Sequence, residues 1–169
     1  MCASRGVAHG ATLFPVLKML RITTFVRANF VTEPAFAAIT LDAQDRHLRR
    51  KVINLQNGEQ LLVDLEKAAK LENGDCLVLD DGRLVKIIAA AEDLIEITAR
   101  DNEQLINLAW HIGNRHLEAQ IELHRILIRP DHVIAHMLEH QGAVVKPVRE
   151  TFSPEHGAYH AHGDGAHEH

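Results

Sequence analysis

The order of the apolar patterns between residues 93 and 152 constrains the fold of this chain more than any other feature of its sequence. A strand-like run is followed by a helical stripe, two strand-like runs, a second helical stripe and a final strand-like run. This order predicts strand, helix, strand, strand, helix, strand, which is the ferredoxin-like (βαββαβ) arrangement. The predicted strands are 94–98, 117–123, 126–128 and 143–148, and the predicted helices begin at Asp101 and Pro130-Asp131 and end at Gly113 and Gly142.

Residues 19–92 carry a different pattern, in which short apolar runs alternate with polar turns that contain glycine. Asn57-Gly58 lies between two of these runs and predicts a hairpin. Residues 66–71 favour a single helical turn. We therefore expect an α+β protein in which a small N-terminal all-β domain, residues 19–92, precedes a ferredoxin-like domain, residues 93–152. The predicted N-terminal strands are 20–26, 51–55, 61–63, 76–79 and 83–90.

Both ends of the chain lie outside these two domains. Residues 1–18 show no regular apolar pattern, and we expect them to be a disordered extension or the result of a misplaced start. Residues 153–169 combine proline, glycine and histidine without apolar periodicity, which predicts a flexible tail when no metal is bound. This tail holds five of the 13 histidines of the chain, namely His156, His160, His162, His167 and His169.

The concentration of histidine in the tail predicts metal binding, because imidazole is a good ligand for nickel, zinc and copper. Two other interpretations are a purification tag and a polar tail without a function. The histidines are dispersed among alanine, glycine, aspartate and glutamate, and this spacing argues against a tag. The composition does not distinguish among the three metals.

Histidines also occur around the two predicted helices. His111 lies within the first helix, and His116 lies just beyond its end, where a loop exposes it. On the second helix His132, His136 and His140 are four residues apart and share one slowly rotating face. An i, i+4 pair of histidines forms a workable two-ligand metal site. The alternative is a solvated helix face that uses histidine as its polar residue, and we favour it for His136 and His140.

Composition and missing motifs argue against several classes of function. The formal net charge is −5 and no long run of lysine and arginine occurs, which argues against nucleic-acid binding. No apolar stretch approaches the roughly 20 residues of a membrane span, and two cysteines give no disulfide framework, so we expect a cytoplasmic protein. His132–His136 is similar to the metalloprotease motif HExxH, but Val133 replaces the glutamate that serves as general base. Nucleophile and phosphate-loop motifs are missing as well, so we expect no enzymatic activity.

Several short motifs of this sequence occur together in one protein family. Gly113-Asn114-Arg115-His116 is followed by Asp131-His132-Val133, which is centred sixteen residues after His116. The other motifs are Gly74-Asp75, Ala89-Ala90-Ala91-Glu92, Met137-Leu138, Gly142 and Phe152-x-Pro154-Glu155-x-Gly157-Ala158-Tyr159 before the last histidines. Over about residues 19–162 the chain therefore resembles the E-type urease accessory proteins, a family of nickel metallochaperones.

This resemblance implies a homodimer of chains that each carry an N-terminal β domain and a ferredoxin-like metal-binding domain. It implies that two copies of His116 bind one ion between the chains. Pro130 stands where some relatives have histidine, and His136 and His140 do not match the family pattern. Further ligands are implied at His111 and His132 and in the tail at His156, His160, His162, His167 and His169.

The implied function is the delivery of Ni²⁺ for assembly of the urease active site, with zinc or copper as alternative metals. The implied partners are the urease accessory GTPase and the complex of urease apoenzyme with its accessory proteins. A general zinc- and nickel-buffering or storage protein without a delivery role is the alternative function. A metallohydrolase is a third hypothesis, against which the missing general base and nucleophile argue.

Overall fold

The structure, a computed structural model, describes residues 19–55 and 57–155, and the first part of this chain folds as one β-sheet. Its strands are β1 (Leu20–Val26), β2 (Ala37–Leu41), β3 (His47–Asn54), β4 (Gln60–Lys70), β5 (Cys76–Leu79) and β6 (Leu84–Ala89). The six-stranded sheet has the order β2-β6-β5-β1-β4-β3, in which β1/β4 and β2/β6 are parallel pairs and the other neighbours are antiparallel. Alternate residues such as Leu61, Val63 and Leu65 of β4 are buried in an aliphatic core, as the strand period of two requires.

Two segments of this sheet differ from the sequence predictions. The helical turn predicted at residues 66–71 is wrong, because β4 continues to Lys70 and pairs there with β3 in the register His47↔Lys70 and Leu48↔Ala69. Pairing with a neighbouring strand therefore outweighs the helix propensity of this stretch. Strand β2 was not predicted, because its two alanines give a weak apolar pattern. The segment is a strand because it pairs in parallel with β6.

The second part of the chain has the ferredoxin-like order that the sequence predicts. Its elements are β7 (Ala91–Thr98), α1 (Asn102–Gly113), β8 (Ala119–Ile121), β9 (Ile126–Ile128), α2 (His132–His140) and β10 (Val144–Thr151). The strands form a four-stranded sheet in the order β10-β7-β9-β8 with antiparallel neighbours, which confirms the predicted α+β class. Helix α1 begins after its predicted cap, Asp101, and α2 begins just after the predicted start at Pro130-Asp131, with Asp131 as its cap. The carboxylates of Asp101 and Asp131 accept hydrogen bonds from backbone N–H groups of the first turn.

One face of this second sheet packs against both helices, and its hairpin is shorter than predicted. The apolar cluster on this face contains residues of α1, α2 and the strands. The strand predicted at residues 117–123 ends at Ile121, and Leu123 is 73% exposed. The apolar alternation continues to Leu123, but strand pairing ends before it. The N–H of Glu122 already donates to the oxygen of Arg125 at 2.9 Å in the turn.

The two parts of the chain meet around Arg46 and Phe152. The guanidinium of Arg46 is completely buried and donates to the backbone oxygens of Leu71, in the first part, and Phe152, in the second. Both acceptors are backbone carbonyls that would otherwise be buried without a donor. The junction also has a small apolar cluster that contains Ala43, Leu94, Leu127 and Phe152.

The face of the second sheet opposite the helices carries an ion network around Arg125. Its guanidinium contacts the carboxylates of Glu96, Glu122 and Glu150 at 2.7, 2.7 and 2.8 Å. Glu96 is 8% exposed and also lies 2.8 Å from the Nζ atom of Lys146. The hydrogen bonds from Lys146 and Arg125 lower the pKa of Glu96 below its ordinary value.

This lowered pKa predicts an acid-dependent loss of stability through Glu96. Because the pKa of Glu96 is lower in the folded state, the ionised carboxylate contributes to the free energy of unfolding. This contribution is fully present above the unfolded-state pKa of about 4.3 and is lost as the pH falls through the folded-state pKa. We expect Glu96→Gln to lower the free energy of unfolding by about 2 kcal/mol at neutral pH, and the difference from the wild type to shrink between about pH 5 and pH 3. Urea unfolding across this range measures the effect. Asp93→Asn, which removes an exposed ion pair with Arg149, serves as the control, and a pH-independent difference for Glu96→Gln would contradict the prediction.

Candidate metal centre

His116 lies in the turn that connects α1 to β8, and its side chain is exposed. Hydrogen bonds tighten this turn, among them those from the N–H groups of Arg115 and His116 to the oxygens of Ile112 and Gly113 at 3.1 and 2.9 Å. His116 has a φ of 57° and is the only non-glycine residue with positive φ in the part of the chain that the structure describes. The left-handed conformation costs an L-residue about 1–2 kcal/mol. Such outliers concentrate at functional sites, so the strain marks His116 as a functional candidate.

The end of α1 differs from its prediction. Gly113 was expected to be the left-handed residue that follows the helix, but it belongs to α1, and Asn114 is a C-cap with φ −63° and ψ −17°. A Cβ on Gly113 would meet no atom of the described residues within 4 Å, so neither φ nor crowding among these residues requires glycine there. The left-handed position is occupied by His116 instead. The Gly-Asn-Arg-His segment thus places a histidine where the stability of the fold alone favours glycine.

His132 lies at the same end of the ferredoxin-like sheet as His116. Strand β8 begins at Ala119 and β9 ends at Ile128, and these two residues are paired. His116 precedes Ala119 by three residues, and His132 follows Ile128 by four. His132 is exposed at the first position of α2, next to Asp131, whose carboxylate caps the helix with bonds of 2.9 and 3.0 Å. The structure therefore brings two of the predicted ligands to one rim of the sheet.

His111 faces a different groove. It is half-buried and lies with Asn107 of α1 and Gln141 beyond α2 along a shallow depression. Its ring packs edge-on against Trp110, with 5.1 Å between the ring centroids. Its backbone oxygen accepts a hydrogen bond from Nη1 of Arg115 at 2.9 Å, which links His111 to the turn that carries His116.

The chain leaves the ferredoxin-like domain beside the rim that carries His116. The N–H of Ser153 donates to Oε1 of Gln120 at 2.7 Å, and the N–H of Glu155 donates to the oxygen of Ala119 at 2.9 Å. These bonds correct the prediction that the flexible tail begins at residue 153, because residues 153–155 are anchored to β8. The five predicted tail ligands, His156, His160, His162, His167 and His169, lie outside the described residues, as does the predicted extension 1–18.

The ligand set at this rim is incomplete among the residues that the structure describes. Across residues 19–55 and 57–155, no group of three or more histidine, cysteine, aspartate or glutamate side chains is arranged to hold one metal ion. A neutral imidazole supplies one ligand nitrogen, and a closed tetrahedral site requires four ligands. His116 and His132 therefore need ligands from beyond these residues, and the tail and a second copy of the chain are the available sources.

Comparison with known proteins gives the family. The model of the N-terminal domain of the UreE urease accessory protein matches residues 22–90, and that of the C-terminal domain matches residues 92–169. The chain belongs to the UreE family of urease accessory proteins. This result confirms the resemblance drawn from the sequence motifs. No helix of the UreE fold described above is long and apolar enough to cross a membrane.

Individual UreE proteins are similar over most of their length. The urease accessory protein UreE of Agrobacterium fabrum is 50% identical over 150 residues, which cover 89% of this chain and 93% of the relative. UreE 1 of Brucella suis biovar 1 is 53% identical over 142 residues, covering 83% and 88%, and UreE of Chelativorans sp. is 49% identical over 151 residues, covering 89% and 94%. UreE proteins are accessory chaperones of urease maturation, which confirms the prediction that the chain is not an enzyme.

Sequence reasoning missed one feature next to the UreE candidate site. Ile106 and Trp110 of α1 are 69% and 62% exposed and lie one helical turn apart, on the side away from the core. The apolar stripe that predicted this helix did not include them. Large apolar residues that lie off the stripe of an amphipathic helix are the sequence pattern that would have indicated this surface.

Proposed function

We propose that this UreE protein is a homodimeric nickel carrier in which His116 of each chain binds one Ni²⁺ between the chains. The observation that carries the proposal is the exposed imidazole of His116 in a left-handed turn, where the fold alone favours glycine. Imidazole binds nickel, zinc and copper. A role in urease maturation favours nickel among these three metals.

The outer face of α1 supports a dimer that shares this site. Ile106 and Trp110 form an exposed apolar surface, and Gly113 continues it towards His116, where no described residue crowds the position enough to require glycine. A second copy that packs on this face would bury both apolar side chains and fill the open space beside Gly113. In our proposal the two-fold axis passes beside Gly113, at the His116 end of this face, so that the two His116 turns lie opposite each other.

The tail supports the proposal through its point of attachment. Glu155 is bonded to Ala119, and Ala119 is three residues after His116. An extended chain spans up to about 3.5 Å per residue, so His160 reaches about 17 Å from Glu155. This reach includes the His116 turn. His156, His160, His162, His167 and His169 therefore complete the ligand set in our proposal, together with His111 and His132 on the domain.

The ligand chemistry supports a carrier that releases its metal. Burial raises the pKa of the Cys76 thiol, which keeps it protonated and unsuited to binding metal. Histidines at an exposed rim hold a metal less rigidly than a closed site with thiolates does. The alternative function, a zinc and nickel buffer without delivery, uses the same ligands and differs only in what receives the metal.

Delivery requires partners, which we propose to be the urease accessory GTPase and the complex of urease apoenzyme with its accessory proteins, in the cytoplasm. Deletion of the gene in a urease-producing host tests this role. At limiting nickel we expect urease activity to fall, and to be restored by the wild-type gene, by a His124→Ala copy or by excess nickel, but not by a His116→Asn copy. Unchanged urease activity after deletion would exclude delivery and leave the buffering role.

The dimer surface gives a second prediction. We expect the double substitution of Ile106 and Trp110 by glutamate to convert the dimer into a monomer near 18.9 kDa, because two charges would be buried without partners. Light scattering coupled to size-exclusion chromatography measures the mass. The control is Phe30→Glu, which changes an apolar residue that is 70% exposed at the end of a short 3-10 helix (Ala28–Phe30) between β1 and β2. A dimer that survives the double substitution would place the interface elsewhere.

A further inference from the structure

His136 and His140 converge on the exposed side of α2. Their ring centroids are 4.2 Å apart and the ring planes are inclined by 55°. Both side chains are exposed, so neither ring is placed by burial in the core. A solvated helix face, which we favoured from the sequence, does not require its polar side chains to meet in this way.

A hydrogen bond orients one ring of this pair. Nδ1 of His140 lies 2.9 Å from the backbone oxygen of His136. Because a carbonyl oxygen only accepts, Nδ1 must carry the proton in this bond. In the neutral ring the lone pair is then on Nε2, which is free to bind a metal. Histidine ligands are commonly oriented by such a bond from their second ring nitrogen, so His140 has its ligand tautomer before metal binds.

The separation of the two rings matches a shared metal ion. With metal–nitrogen bonds of about 2.1 Å and two ligands at a right angle, the ring centres lie roughly 4.5 Å apart. The observed 4.2 Å requires only a small adjustment. A helical i, i+4 pair is also a workable metal site by its spacing alone.

We propose that His136 and His140 form a second metal site, which binds a borderline divalent cation such as Ni²⁺, Zn²⁺ or Cu²⁺ through two imidazoles and water. Residues that match no family motif thus give this chain a metal site of its own. The site lies within one helix and needs neither His116 nor a second copy of the chain. It therefore stands independently of the proposed function.

If His140 had a purely structural role, substitutions would have a different effect from the one expected for a metal ligand. Its bond to the oxygen of His136 also satisfies a carbonyl in the last turn of α2, which stabilises the helix end. His140→Gln keeps a side-chain N–H donor at this position but removes the imidazole. If the role were only structural, this variant would leave the behaviour of His136 towards metal unchanged.

Histidine modification of the full-length protein tests the site. Diethylpyrocarbonate is added with and without Ni²⁺, and the modification of each histidine is followed by mass spectrometry. We expect Ni²⁺ to protect His136 and His140 several-fold, and His136→Ala or His140→Gln to abolish the protection of the remaining ring. His124→Ala, which removes a single exposed histidine in a hairpin turn, leaves both protected.

Three outcomes would overturn this site. Ni²⁺ could leave both rings unprotected, or protection of one ring could persist after replacement of the other. Protection could also disappear in His116→Asn, which would make the pair dependent on the rim of the sheet. Persistence of the protection in His116→Asn supports the second site even if the shared His116 site of the proposed function proves wrong.

Discussion

Replacing His116 by asparagine is expected to remove the nickel ion that we propose two chains to share. One substitution deletes a ligand from each chain, so the shared site loses both imidazoles at once. Loss of an outer-shell partner alone weakens metal binding by about 10–100-fold, and we expect the loss of two direct ligands to exceed 100-fold. Isothermal titration calorimetry of the full-length protein with Ni²⁺ measures the affinity and the number of ions per chain.

The backbone of His116 determines the choice of variants. Its φ of 57° disfavours alanine, whereas asparagine tolerates and glycine prefers the left-handed region. His116→Gly should therefore keep the free energy of unfolding within about 1 kcal/mol of the wild type and lose the shared ion. His124→Ala controls for the removal of an exposed imidazole and should keep the ion. Unchanged affinity in both His116 variants would contradict the shared site.

Arg46→Ala is expected to give the largest loss of fold stability, about 3–5 kcal/mol. The substitution empties a completely buried space between the two parts of the chain. It also leaves the backbone oxygens of Leu71 and Phe152 without their buried donor, which costs about 1–3 kcal/mol for each unsatisfied group. Urea unfolding followed by circular dichroism measures the difference in the free energy of unfolding.

Two further variants separate the contributions at Arg46. Arg46→Met keeps much of the volume and should lose less stability than Arg46→Ala, because it removes the hydrogen bonds and the ion pair with Glu72 at 3.3 Å but creates a smaller cavity. Arg149→Ala removes an exposed pair with Asp93 and should change the free energy of unfolding by less than about 1 kcal/mol. Equal losses for Arg46→Ala and Arg149→Ala would show that the buried guanidinium does not hold the junction together.

The ferredoxin-like part was predictable because its signals are local. Asp101 and Asp131 cap helices whose apolar stripes lie within one segment, and the order of these segments specifies the arrangement. The first sheet was less predictable, because the second half of β4 has helix-forming residues that become a strand only by pairing with β3. This pairing is a tertiary contact, which the propensities of single residues do not predict.

The candidate site was likewise predictable only in its local features. A sequence motif identified His116 as a candidate ligand. It did not predict the left-handed φ of His116, because that conformation was expected at Gly113. The approach of His132 to the same rim follows from the pairing of Ala119 with Ile128, which depends on the register of a hairpin. The hydrogen bond from Glu155 to Ala119 joins residues far apart in sequence, and no local pattern predicts it.

That anchoring has a consequence for the kinetics of metal exchange. Because Glu155 is held beside Ala119, every residue that follows is tethered close to the His116 turn. In the proposed function, a metal ion that passes between a tail imidazole and this turn moves within one molecule, and a short tether gives an effective concentration of about 1 mM. Dilution of the protein does not slow such a transfer. For a protein whose two chains stay together, the exchange rate is therefore independent of how many copies of the protein a cell contains.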